Sequence, residues 1–168
     1  MQLPLAAYHR CNAVSGKSAS NIMDLSLLSG WPVIIEQPIC WGEMDSYGHV
    51  NNTVYFRYFE NARLELFRRL GWPVGGRPKG IGPILASTQC RFRKQLSWPD
   101  RIAIGARVSN IGDDRFTIEH WIISEHWNAL AAEGSGLIVT YDYTKECKAP
   151  VPDEIRKKIA ELQGPLPS

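Results

Sequence analysis

Within the eight positions from Asp45 to Asn52, the run Asp45-Ser46-Tyr47-Gly48-His49-Val50-Asn51-Asn52 holds an acid, an imidazole, a glycine and two amides able to cap a helix. A carboxylate in such a run can act as a general base or as a nucleophile. If a helix starts at the amides, its first N–H groups have no partner within the helix, and that end favours negative charge. An acid that drives attack and N–H groups that hold the resulting oxyanion are the parts needed to break an activated ester. The same residues also have plainer uses. Asp followed by Ser, Tyr and Gly forms turns readily, His49 can simply hydrogen-bond a carbonyl, and Asn51 can be a cap and nothing more.

The helix that must position this run is well specified. Val54, Tyr55, Tyr58, Phe59, Ala62, Leu66, Phe67 and Leu70 recur at helical spacing, which predicts one wide apolar face. Asn51 or Asn52 caps its start; Arg68 and Arg69 suit its negative end, and Gly71 with Pro73 stops it. Upstream, Val33, Ile35, Ile39 and Trp41 share one parity and Glu36 takes the other, predicting a half-buried strand that breaks at Gly42. After a loop at 75–80, strand-like stretches run over 84–96, 102–108, 115–123 and 130–143. Pro99-Asp100, Gly112-Asp113-Asp114 and Asn128 supply the turns between them. Their succession predicts a four-strand meander, ended by Pro150 and Pro152 and followed by a short helix at 153–162.

A chain of 168 residues suits one domain with a sizeable core. Residues 1–30 show neither period and read as a disordered extension, with Met23 as an alternative start; residues 31–168 form the domain. Charged residues are 21% and apolar ones 44%, and a scattered net charge of +2 argues against nucleic acid. No apolar stretch approaches the ~20 residues of a membrane span. Cys11, Cys40, Cys90 and Cys147 make no C-x-x-C pair; they fit neither a zinc site nor a disulfide framework and imply a reducing, cytoplasmic setting. Cys90 reads as a small core residue. Asp45, His49 and Glu60 lack the His-x-x-x-His spacing that would support a metal site.

Asp45-x-x-Gly48-His49-Val50-Asn51-Asn52-x-x-Tyr55, then Glu60-x-x-Arg63, resembles the hotdog-fold acyl-CoA thioesterases of the 4-hydroxybenzoyl-CoA thioesterase-like family. The His-Val-Asn-Asn portion is shared with plant acyl-ACP thioesterases. Gly136-Leu137-Ile138-Val139 running on to Pro150-Val151-Pro152 resembles the family's last strand, and the likeness covers residues 33–159. It implies an α+β hotdog fold, a curved antiparallel five-stranded sheet wrapped around one long central helix. It also implies hydrolysis of an acyl-CoA or acyl-ACP thioester with no metal and no organic cofactor. Asp45 takes the place of the catalytic carboxylate, as base or nucleophile, and the Asn52 N–H that of the oxyanion donor. His49 matches a residue proposed to act in the plant enzymes, although Tyr47 stands where those have Asn. Gly48, Val50, Asn51 and Tyr55 would adjoin the substrate. For the phosphates of coenzyme A the nearby cations are Arg91, Arg93 and Lys94, with Arg77 and Lys79 in the preceding loop; alternation puts Arg91 and Arg93 on one face and Lys94 on the other. Glu60 with Arg63 suits an ion pair, with Glu60 in reserve as the carboxylate. The resemblance further implies a homodimer or homotetramer joined at sheet edges, which would otherwise stay unpaired. Two rivals remain. A 3-hydroxyacyl or enoyl thioester hydratase-dehydratase also sets Asp and His at a helix start, but five apart rather than four. A non-catalytic acyl-thioester-binding module is the other.

Overall fold

The computed structural model describes residues 23–76 and 79–164; Cys11, Arg77 and most of the N-terminal extension lie outside the described residues. Helix α1 (Asn52–Leu70) starts where the periodicity requires, with Asn51 Oδ1 accepting the Thr53 N–H at 3.0 Å. It ends at Gly71, whose φ of +88° is left-handed backbone that glycine adopts at little cost. Between these ends Tyr55, Tyr58, Phe59, Ala62, Leu66 and Leu70 are buried.

The opposing face of the core is one antiparallel sheet. Its strands are β1 (Val33–Pro38), β2 (Ile81–Phe92), β3 (Arg101–Ile111), β4 (Arg115–Ser124) and β5 (Ala129–Asp142), in the spatial order β1-β3-β4-β5-β2. A two-residue strand β6 (Cys147–Lys148) pairs with β5, and helix α2 (Asp153–Gln163) follows. Register shifts at Leu85/Ser87, Val108/Asn110 and Ile122/Ile123 interrupt the ladders. Such bulges bend strands and increase twist, and the sheet curls around α1 as a hotdog fold should. Beyond the end of β1 the free edge of β3 is covered from α2, where Gln163 accepts the Val108 N–H at 2.9 Å and donates to its carbonyl at 2.6 Å.

Three sequence expectations need correction. Only β3, β4 and β5 form the expected meander; β2 pairs with β5 instead of β3. Sequence order favours the neighbour, but β5 offers Gly134 and Gly136, which let the β2 backbone, Leu85 and Phe59 come close. Trp41 does not continue the parity of the first strand: β1 stops at Pro38, a 3-10 turn takes residues 41–43, and the indole is 70% exposed. Finally, Cys40 is disulfide-bonded, with its partner outside the described residues, while Cys90 and Cys147 are free thiols. The inference from unpaired cysteines to a reducing compartment therefore loses its premise.

Residues 23–31 pack on the convex face of the sheet. Leu28 is fully buried and Trp31 nearly so, over Ala103 and Ile123. Among the described residues no helix is long and apolar enough to cross a membrane. The concave face is equally close-packed: a Cβ at Gly134 would lie 2.5 Å from the Gln89 carbonyl and 2.5 Å from Phe59 Cε2. Backbone cannot give way as a flexible side chain can, so Gly134→Ala should destabilise the fold by about 2 kcal/mol. A melting temperature lower by roughly 4–8 °C checks this; an unchanged one refutes the packing.

Candidate active site

The acid-bearing run folds as a small hairpin. Met44 and Val50 form a β-bridge, the Asp45 N–H donates to the His49 carbonyl at 2.7 Å, and the Gly48 N–H returns to the Asp45 carbonyl at 3.0 Å. Gly48 has φ of +76°, the left-handed residue that three-residue hairpin loops require. Asp45 Oδ1 accepts the Tyr47 N–H at 2.8 Å and, more loosely, the His49 N–H at 3.4 Å. The turn-forming reading of Asp45 is thus real, but it uses one carboxylate oxygen. Oδ2 has no hydrogen-bond partner among the described residues.

This hairpin leads straight into α1, so Asp45 and the helix start face the same cleft, of about 390 Å³. Asp45, His49, Val50, Asn52 and Tyr55 line one wall; Phe92, Arg93, Lys94 and Gln95, where the chain leaves β2, line the other. At the first helical position the Asn52 N–H finds no acceptor among the described residues. The wall below is apolar: Tyr55 meets Phe92 edge to face at 4.9 Å. Burial pushes the Tyr55 phenol up to about 12, so it stays protonated and hydrogen-bonding. Lys94 sits at the rim, its Nζ 5.5 Å from the centre of the Trp127 ring.

Of the residues singled out in the sequence, Asp45, His49, Val50, Asn52, Tyr55, Arg93 and Lys94 come together here. Gly48 and Asn51 act one step back, as turn and cap. Arg91 does not line the cleft. It lies 3.9 Å from Glu133, which Arg93, at the edge of the cleft, also reaches at 2.5 Å; Arg91 and Glu133 belong to the convex face. A larger groove of about 560 Å³ lies on that face, lined by Arg91, Arg107, Glu119, Trp121 and Glu133. Its charges pair with one another, Arg107 with Glu119 at 2.8 Å among them, and it holds no exposed nucleophile beside a helix start. Volume alone would favour that groove over the Asp45 cleft. Tyr47 is 85% exposed and Glu60 faces Arg63 at 4.0 Å, both away from the cleft lining. Among the described residues no group of three His, Cys, Asp or Glu side chains is placed to hold a metal ion.

Phe92 and Gln95 are the lining residues that sequence reasoning missed. Phe92 has the parity of Cys90, which packs on the core, and that parity was the available signal. Gln95 carries none.

The thioesterase-like superfamily model matches residues 39–159, the stretch that holds the hairpin, α1 and the whole sheet apart from β1. A Pseudomonas aeruginosa protein assigned as a thioesterase is 31% identical, with a TM-score of 0.69 over 77% of this chain and 99% of that one. A Thermus thermophilus thioesterase solved with coenzyme A and zinc is 26% identical, with a TM-score of 0.70 over 82% and 98%. An acyl-acyl carrier protein thioesterase of Arabidopsis thaliana is 28% identical over 121 residues, 71% of this chain and 63% of that one. By fold and by the matched residues, the chain belongs to the thioesterase-like superfamily, a family of thioester hydrolases.

Proposed function

We propose that the chain hydrolyses acyl-CoA thioesters, with Asp45 as general base or nucleophile and the Asn52 N–H as oxyanion donor. One observation carries the reading: Asp45, with one carboxylate oxygen unpartnered among the described residues, and Asn52, with a helix-start N–H likewise unpartnered, line one cleft. Attack on the thioester carbonyl moves charge onto its oxygen, and a preorganised N–H there is worth about 3 kcal/mol. As a base, Asp45 takes a proton from water while the water oxygen attacks, and the thiolate leaves and is protonated. As a nucleophile, Oδ2 displaces the thiolate to give a mixed anhydride that water then opens. The acyl group would lie along Tyr55 and Phe92, and Arg93 and Lys94 would meet the phosphates at the rim.

A second copy of the chain would complete the site. β2 is the outermost strand beside the cleft, paired on one side only, and its residues from Leu85 to Gln89 are exposed. A long open edge of this kind is usually covered, and a homodimer joined along β2 would cover it.

Release of free thiol from a panel of acyl-CoAs tests the proposal, with matched acyl-ACPs alongside because the Arabidopsis relative is named for that carrier. Cleavage of acyl-CoA to free acid supports it. Cleavage of acyl-ACP alone, hydration of enoyl-CoA, or binding without turnover would each overturn it. Lys94→Ala should raise KM for acyl-CoA roughly 3- to 10-fold and leave kcat unchanged, as loss of an exposed charge-assisted contact does. The same variant should treat acyl-pantetheine, which lacks the nucleotide phosphates, as the native protein does; an equal KM shift there would refute the phosphate contact.

A further inference from the structure

Glu43 lies two residues before Asp45 and binds on three sides. Its Oε2 accepts the Tyr58 O–H at 2.8 Å and the Cys40 N–H at 2.8 Å, and its main-chain carbonyl accepts the Asn51 N–H at 2.9 Å. Tyr58 belongs to the second turn of α1 and is completely buried. Asn51 is the residue that caps the same helix. The segment from 43 to 51, which includes Asp45 and His49, is therefore tied at both ends to α1: by a side chain to the helix body and by a carbonyl to its cap. Neither Glu43 nor Tyr58 lines the cleft, so neither can touch the reacting atoms.

We propose that Tyr58 and Glu43 are positioning residues, a buried clamp that fixes the Asp45 hairpin against the start of α1 so that carboxylate and Asn52 N–H stay in register. The proposal rests on the assignment of Asp45 as the reacting carboxylate. Its physical basis is that attack and oxyanion capture come from different segments, a hairpin and a helix. Small errors in their relative placement are costly, because reacting groups must be held near the attack geometry. Burial pushes the Tyr58 phenol far above its usual range, and the neighbouring Glu43 carboxylate pushes it further. The phenol therefore stays a hydrogen-bond donor at any pH at which the enzyme would work.

The test compares the native protein with Tyr58→Phe, Glu43→Leu and Glu43→Gln, each in the Asp45 and Asp45→Asn backgrounds, on the best acyl-CoA of the panel. In the native background Tyr58→Phe and Glu43→Leu should lower kcat roughly 10- to 100-fold, with KM within about twofold. Glu43→Gln retains a carbonyl oxygen that can accept both hydrogen bonds, and it should restore kcat to within about threefold of native. In the Asp45→Asn background Tyr58→Phe should cause no further loss, because misplacing an absent base costs nothing. A Tyr58→Phe protein with native kcat overturns the clamp and leaves Asp45 standing. Equal losses in both backgrounds, tracking a lower melting temperature, overturn it as merely structural. Native activity in Asp45→Asn itself removes the assignment on which the clamp rests.

Discussion

Asp45→Asn should lower acyl-CoA hydrolysis at least ~100-fold with little change in melting temperature, a barrier increase of about 2.7 kcal/mol or more. The two carboxylate oxygens do different work, which is why Asn is the informative replacement. Oδ1 holds the Tyr47 N–H at 2.8 Å and keeps the hairpin closed; an amide oxygen can take over that bond. Oδ2, without a hydrogen-bond partner among the described residues, is what Asn cannot replace, since an amide nitrogen neither accepts a proton nor attacks a carbonyl. Asp45→Ala removes both functions and should show the same kinetic loss with a melting temperature lower by a few degrees, about 1 kcal/mol of lost turn capping. An Asn variant that still hydrolyses at the native rate would eliminate Asp45 as base and nucleophile alike. In the native protein a single turnover in ¹⁸O-water tests the nucleophilic role: label found in the Asp45 side chain indicates an anhydride opened at the Asp45 carbonyl, whereas label in the product acid alone fits both the base and an anhydride opened at the acyl carbonyl.

How this site could be seen in the sequence, and where it could not, follows from the range of the interactions involved. The run from Asp45 to Asn52 and the apolar face of α1 are local: residue type, turn chemistry and a 3.6-residue period set them, and the cap falls on Asn51. Alternation set Arg91 and Arg93 against Lys94, but β2 ends at Phe92 and both the Arg93 and Lys94 N–H groups donate to the Ala131 carbonyl, so Arg93 and Lys94 line the cleft together while Arg91 does not. The opposite wall was not legible. Phe92 and Gln95 reach Asp45 only because β2 pairs with β5 and the chain then turns back past the helix start. The close approach in that pairing falls at Gly134 and Gly136, some forty positions downstream. The Tyr58–Glu43 contact spans 15 residues. Periodicity marks Tyr58 only as core, and nothing in the sequence says that its hydroxyl has a partner. Trp41 shows the opposite error, a parity carried past the point where Pro38 ends the strand.

His120 leads to the other large expectation, and it concerns stability. The imidazole is fully buried on the concave face of β4, stacked on Phe59 at 4.9 Å, and neither ring nitrogen has a hydrogen-bond partner among the described residues. Burial, and secondarily the charge of the nearby buried Arg63, lowers its pKa from 6.5 to about 3, against a weaker opposing influence of the Gly105 backbone. The folded protein therefore keeps His120 neutral in a range where the unfolded chain takes up a proton. The unfolded state binds more protons as pH falls below 6.5, so stability is complete above that value and declines steadily towards pH 3. Between pH 7 and 5 the loss from this one group is about 2 kcal/mol. Glu65, held down to about 2 chiefly by its hydrogen bond to Arg68, adds its own loss only as pH falls through its ordinary value of 4.5 and below, outside that window. Urea unfolding at pH 7, 6 and 5 should show the decline in the native protein and less than half of it in His120→Leu. At pH 7 the variant should stay near native stability, because an apolar group replaces two unsatisfied nitrogens. A Leu variant that declines as steeply as the native protein would place the acid sensitivity elsewhere.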